Sequence, residues 1–107
     1  MAARKTFILI YAPAVKEHLR AIEPKHYSLI RQKIEEQLFH EPDSETENRK
    51  MLIVPNALEA TWEIRFGPNN RFRVFYAIDR AAYEVLILAI GVKAGNRLWI
   101  GQEEIEL

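Results

Sequence analysis

Cysteine is absent from the chain, so neither a disulfide framework nor a thiolate metal site is available to it. That absence points to a reducing compartment. Glycine is scarce, at four residues, and no stretch is rich enough in Gly or Ser to divide domains. No segment repeats, which excludes solenoids and arrays. Long apolar runs are missing as well. The longest, Val85 to Ile90, falls far short of the roughly 20 residues that cross a bilayer. At the start, Arg4 and Lys5 precede only Phe7 to Tyr11 before Pro13 intervenes, which is not the pattern of a secretory signal. A surplus of either charge is also lacking, because fifteen basic and fifteen acidic residues cancel. General affinity for polyanions is therefore not expected. These absences predict a soluble, cytoplasmic protein with no membrane partner.

What is present suffices for one core. A length of 107 residues suits a single domain over 1–107, and 49% of them are hydrophobic, with five Phe, four Tyr and two Trp. Charge is uneven along the chain. Glu35, Glu36, Glu41, Asp43, Glu45 and Glu47 follow one another with no Lys or Arg between them. Thr61 to Arg80 instead holds Arg65, Arg71, Arg73 and Arg80 against Glu63 and Asp79. One end of the molecule is predicted to be locally basic.

Residues 5–11 are β-branched and aromatic and read as a first strand, ended by Pro13. Pro13 fits the first position of a helix, and Val15, Leu19 and Ile22 give that helix an apolar stripe. Pro24 restarts the pattern. Tyr27, Ile30, Ile34 and Leu38 then predict a second amphipathic helix over 24–40. The segment 41–48 is polar and turn-like, and 51–54 fits either a short strand or an apolar loop. Strands follow over 61–67, 71–79 and 83–93, with shorter ones over 98–100 and 103–107. The expected architecture is α+β: an N-terminal strand and a two-helix hairpin packed on an antiparallel β-meander.

Register can be argued further. Trp62, Ile64 and Phe66 need the core, and so do Phe72, Val74, Tyr76 and Ile78; a one-residue slip would expose one set. Matching them puts Phe66 opposite Phe72, Ile64 opposite Val74 and Trp62 opposite Tyr76, with Pro68-Asn69-Asn70 as a three-residue loop. Arg65 must then face Arg73 on the other side, beside Glu63 opposite Phe75. Like charges across a ladder are destabilising. Such a pair is kept where an anion binds or a carboxylate neutralises it. In the next strand, Leu86, Leu88, Ile90 and Val92 read as the helix-facing side. Val85, Ile87, Ala89, Gly91 and Lys93 read as the other, shrinking to a shallow floor at Ala89 and Gly91 beside Arg73. Arg65, Arg73 and Lys93 around that floor would suit a phosphate backbone.

Each residue also has a plainer reading. A lone strand Arg is usually solvated, and Glu63 reads as an ion-pair partner of the arginines as well as a base. Trp62 belongs in the core; Trp99 either caps the core or stacks on a base. His18, His26 and His40 are too widely spaced for a metal motif, so no metal and no cofactor is expected.

The stretches Trp62-Glu63-Ile64-Arg65-Phe66, Arg71 to Tyr76 and Val85 to Lys93 resemble the strand–hairpin–strand core of the RelE/ParE toxin superfamily. The order strand, two helices, strands agrees over nearly the whole chain. The resemblance implies the toxin of a type II toxin–antitoxin pair. Its RelE branch cleaves mRNA on the ribosome without a metal: the 2′-OH attacks the adjacent phosphate, leaving a 2′,3′-cyclic phosphate. By the same resemblance, Arg65 falls on a site Lys of that branch and Arg73 on its phosphate-stabilising Arg. Lys93 falls on an Arg that protonates the leaving group, and Trp99 on a stacking Tyr. Arg71 would help bind substrate. Glu63 replaces a site Lys and would act as a base. The implied partners are a cognate antitoxin, mRNA on the ribosome, and operator DNA reached only through the antitoxin. The ParE branch implies the alternative of a non-catalytic inhibitor of DNA gyrase. A degenerate, antitoxin-binding co-repressor is a third reading.

Overall fold

The computed structural model describes residues 6–107. The expected strand start at Lys5, and Arg4 with it, lie outside the described residues. Among these, seven strands form one sheet: β1 (Ile8–Tyr11), β2 (Arg49–Met51), β3 (Trp62–Phe66), β4 (Phe72–Asp79), β5 (Glu84–Ala94), β6 (Arg97–Ile100) and β7 (Glu103–Ile105). Strands β2 to β7 lie in sequence order and pair antiparallel. β1 instead pairs parallel with the first half of β5. Helix α1 (Val15–Arg20), a 3-10 turn (Pro24–His26) and helix α2 (Tyr27–Leu38) cross one face. No helix of the described residues is long and apolar enough to cross a membrane.

The apolar stripes explain that placement. Val15, Ile30, Ile34 and Leu38 from the helices, with Ile22 from the connection after α1, project into a core completed by Trp62, Ile64, Phe66, Phe72, Val74 and Tyr76. These are the residues whose shared need for burial fixes the β3–β4 register, and the ladder has Phe66 opposite Phe72, Ile64 opposite Val74 and Trp62 opposite Tyr76. The connection is longer than the three residues expected. Five residues, 67–71, include a 3-10 turn at Pro68–Asn70 in which Asn69 (φ 55°) and Asn70 (φ 51°) are left-handed. Asn tolerates that region better than most residues.

Two expectations need correction. Alternation along β5 breaks at Leu88: Phe75 of β4 pairs with Ala89 and the next residue, Tyr76, with Ile87, so Leu88 is the extra residue of a bulge. Val85 and Ile87 therefore join the helix-side core, and Leu88 packs on the reverse side. The reverse side is also not an open floor. Phe75, Ala89, Ala60 and Ile100 are buried there as a second, smaller core, packed by Leu52, Leu58, Leu98 and Ile105. Gly91 is small for a different reason from the one expected. A Cβ on it would lie 2.8 Å from the Trp99 carbonyl oxygen and 2.9 Å from Ile100 Cγ1, so glycine permits the close approach of β6.

Where 51–54 fitted either a strand or a loop, the edge strand β2 runs over 49–51, two residues earlier, and 52–54 is loop. Arg49 is buried at 5% exposure. Its Nη1 donates to the Ser44 carbonyl at 2.9 Å, and its Nη2 to the carbonyl and Oε1 of Gln37, each at 2.8 Å. This guanidinium ties the end of α2 and the polar loop to the sheet. Tyr76 does the same from β4, donating its hydroxyl to the Pro42 carbonyl at 2.5 Å. Burial pushes the Tyr76 phenol far above the ordinary tyrosine pKa, so it serves only as a neutral donor.

Candidate active site

The reverse side of the sheet carries the charged residues that alternation predicts. Arg65 pairs with Arg73, Glu63 with Phe75, and Arg73 with Gly91. Lys93, two residues beyond Gly91, shares that side. The three expected cations thus lie on one side of the sheet. They do not all reach the same space. A cavity of about 680 Å³ is lined by Glu63, Arg73 and Lys93, with Lys50, Met51 and Leu98 among its other walls. Arg65 is half-buried and is not among the residues lining it. The third cation is Lys50, opposite Glu63 in the β2–β3 ladder.

Glu63 and Arg73 form the centre. They are 4% and 9% exposed, and Arg73 Nη1 lies 3.4 Å from Glu63 Oε2. Arg73 Nε donates to the Asn70 carbonyl at 2.8 Å, which anchors the guanidinium to the hairpin loop. Lys50 Nζ stands 3.7 Å from Glu63 Oε1, beyond hydrogen-bond reach, and that oxygen is buried without a hydrogen-bond partner. A buried carboxylate oxygen left unbonded costs free energy unless something else supplies the missing donor. Lys93 is exposed, and its position is set by a backbone hydrogen bond from its N–H to the Arg71 carbonyl at 2.7 Å.

Chemically, the cavity joins a proton acceptor, Glu63, with an anchored guanidinium and the ammonium groups of Lys50 and Lys93, while Glu104 and Glu106 on its far wall balance the charge. A carboxylate beside a fixed guanidinium suits a group with a transferable proton next to an anion. Among the described residues, no group of three or more His, Asp and Glu is placed to hold a metal ion.

Arg71 and Trp99 do not join this cluster. Trp99 pairs with Val92, which puts it on the helix side, opposite to Lys93. Arg71 precedes the strand with helical backbone angles, and its guanidinium lies over the Phe72 ring, 5.1 Å from the centroid. Both line a second cavity of about 320 Å³ between α1 and the sheet, with His18, Glu23 and His26. There, His18 Nδ1 accepts the Ile90 N–H at 3.3 Å. It covers the gap on the β5 edge between the last β1 contact, at Ile87, and the first β6 contact, at Gly91. Burial holds the His18 imidazole below its ordinary pKa, so the neutral ring that this bond requires is favoured.

Sequence reasoning missed Lys50. Arg49-Lys50-Met51 carries no alternation to find it by: Arg49 is buried while Lys50 and Met51 are both exposed, and three residues after a polar tract are too few to establish a period.

No protein-family model matches the chain, and no curated protein sequence does. Its structure is similar to solved ones. One such structure is a chain in the crystal structure of the toxin–antitoxin complex RelBE2 from Mycobacterium tuberculosis, with a TM-score of 0.67 and 20% sequence identity, over 88% of this chain and 99% of that one. The strand, two helices and meander are the RelE toxin fold.

Proposed function

We propose that the chain is a single toxin domain of a type II toxin–antitoxin pair, acting in the cytoplasm as an endoribonuclease on ribosome-bound mRNA. One observation carries the ribonuclease reading. The Glu63 carboxylate, paired with Arg73, keeps one buried oxygen without a hydrogen bond at the wall of a cavity that Lys50 and Lys93 also line. The toxin reading is supported by the shared fold, since the similar structure is a toxin–antitoxin complex. In this reading a cognate antitoxin binds the chain, and operator DNA is reached only through that antitoxin.

In the reaction, Glu63 accepts the proton of a 2′-OH and the freed oxygen attacks the neighbouring phosphorus. Arg73 stabilises the charge gathering on the phosphorane oxygens, with Arg65 behind it adding to the local positive field. The bond to the 5′ oxygen breaks, and Lys93 gives that oxygen a proton. The products are a 2′,3′-cyclic phosphate and a free 5′-OH, and solvent returns the proton from Glu63 to Lys93. The nucleophile comes from the substrate and the charge from side chains, so these steps call on no cofactor.

Induced expression tests the assignment. Wild-type protein should arrest growth and create new 5′ ends in translated mRNA, read by primer extension. Arg73→Ala and Arg73→Lys should abolish both, the lysine variant because a point charge cannot replace the guanidinium fork. The neutral net charge favours a second reading, inhibition of DNA gyrase by surface contact. Growth arrest without new 5′ ends, together with loss of supercoiling activity in a gyrase assay, would replace the first reading by the second.

A further inference from the structure

Asn56 lines the cavity that holds Glu63 and Arg73, yet its side chain keeps no hydrogen-bonding capacity for a ligand. Its Nδ2 donates to the Ala60 carbonyl at 2.8 Å and to the Ile53 carbonyl at 3.0 Å. Its Oδ1 accepts the Leu58 N–H at 3.0 Å and the Ala60 N–H at 3.3 Å. Two donors and two lone pairs are all that a carboxamide has, and each finds its partner within the loop over 52–60. The amide cannot be turned over, since donors would then face donors. The Asn56 backbone carbonyl also takes the Glu59 N–H, at 3.1 Å.

Packing holds only part of this loop. Ile53 is 90% exposed and Val54 56%, so the outer limb gains little from burial. The inner limb does pack, with Leu52 and Leu58 on the second core beside Phe75 and Ala60. Phe75 stands opposite Glu63 in the β3–β4 ladder, so the loop covers the side of the sheet where the catalytic pair lies. The loop also joins two strands of the site. Lys50 lies on β2 just before it and Glu63 on β3 just after it. The ladder between those strands has three residue pairs, from Arg49 opposite Ile64 to Met51 opposite Trp62. So short a pairing fixes little by itself, and the setting of β2 against β3 falls to the loop that closes it.

We propose that Asn56 is a positioning residue for the Glu63–Arg73 pair. Its carboxamide clasps the loop over 52–60 into a fixed wall that keeps Glu63 and Arg73 at 4% and 9% exposure. The unbonded Glu63 oxygen is then aimed at a substrate hydroxyl rather than at bulk solvent. Asn56 acts through the pair and does not touch the substrate. The catalytic half of this inference rests on the ribonuclease reading, whereas the clasp does not.

Two measurements test it, with Tyr76→Phe as a control that loses a buried hydrogen bond on the helix side of the sheet. The first is cleavage of ribosome-bound mRNA. Asn56→Ala should lower kcat by about 100-fold with KM nearly unchanged, the loss that a misplacement of about 1 Å produces. Asn56→Asp still accepts both N–H groups and should fall between alanine and wild type. Tyr76→Phe should lose stability without that loss of kcat. The second measurement needs no substrate: exchange of the Arg73 Nε–H with water, followed by NMR. This N–H donates to the Asn70 carbonyl at 2.8 Å. Its exchange should quicken by about 10-fold in Asn56→Ala and keep the wild-type rate in Tyr76→Phe. Should the alanine variant fail to fold, Asn56→Asp carries both readouts. Exchange at the wild-type rate in the folded Asn56 variants would overturn the clasp. A kcat lowered no further than in Tyr76→Phe would overturn the positioning role. If wild-type protein never cuts ribosome-bound mRNA while exchange still depends on Asn56, the wall stands and the catalysis falls.

Discussion

One oxygen of Glu63 is buried without a hydrogen bond, and such an oxygen ordinarily costs about 1–3 kcal/mol. Arg49 Nε on β2 is left in the same state, whereas Tyr76 on β4 avoids it. Its hydroxyl, wholly buried, satisfies the Pro42 carbonyl at 2.5 Å and pins the polar loop. Tyr76→Phe should leave that carbonyl without its donor and lower stability by about 1–3 kcal/mol, measured by urea unfolding, while cleavage activity persists. Glu63 is in the opposite position: its missing donor is one that a substrate hydroxyl would provide. That Glu63, Arg65, Arg73 and Lys93 share one side was legible in the sequence, because a strand period of two puts them there, but that Arg65 stays out of the cavity was not. Burial was not legible. Glu63 and Arg73 read as surface residues until the packed loop at Leu52, Leu58 and Ala60 closes over that side.

At the scale of elements, the β3–β4 ladder followed from burial needs alone, down to Arg65 opposite Arg73. β5 did not. Its bulge at Leu88 exchanges the roles of Val85 and Ile87 with Leu86 and Leu88, and a run that is apolar at every position carries no period to reveal the shift. The side taken by Trp99 could have been read. Gly95-Asn96 is a two-residue connection between Ala94 and Arg97, and such a turn sets Trp99 opposite Val92. The tight seam between β5 and β6 gives a prediction here. Gly91→Ala brings a methyl group within 2.8 Å of a backbone oxygen that cannot rotate away. It should cost about 1–3 kcal/mol by urea unfolding, with hydrogen exchange rising first at β6 and β7. An alanine variant as stable as the wild type would mean that β6 sits further from β5 than described.

At the scale of the molecule, the sheet is covered on both sides, by helices on one and by the loop over 52–60 on the other. Charge gathers at the edge of that cover, where Lys50, Arg73 and Lys93 line one cavity with Glu63, Glu104 and Glu106, so the cavity wall balances as the whole chain does. Local geometry, rather than net charge, would bring RNA to this edge. The central claim is that Glu63 is the base of a phosphoryl-transfer site. Single-turnover cleavage of mRNA on programmed ribosomes tests it most directly, comparing wild type with Glu63→Gln, a variant that keeps the shape and removes the proton acceptor. The rate should fall by about 100- to 10,000-fold with mRNA affinity nearly unchanged, and the residual product should still end in a 2′,3′-cyclic phosphate. Cleavage by Glu63→Gln at the wild-type rate would contradict the account.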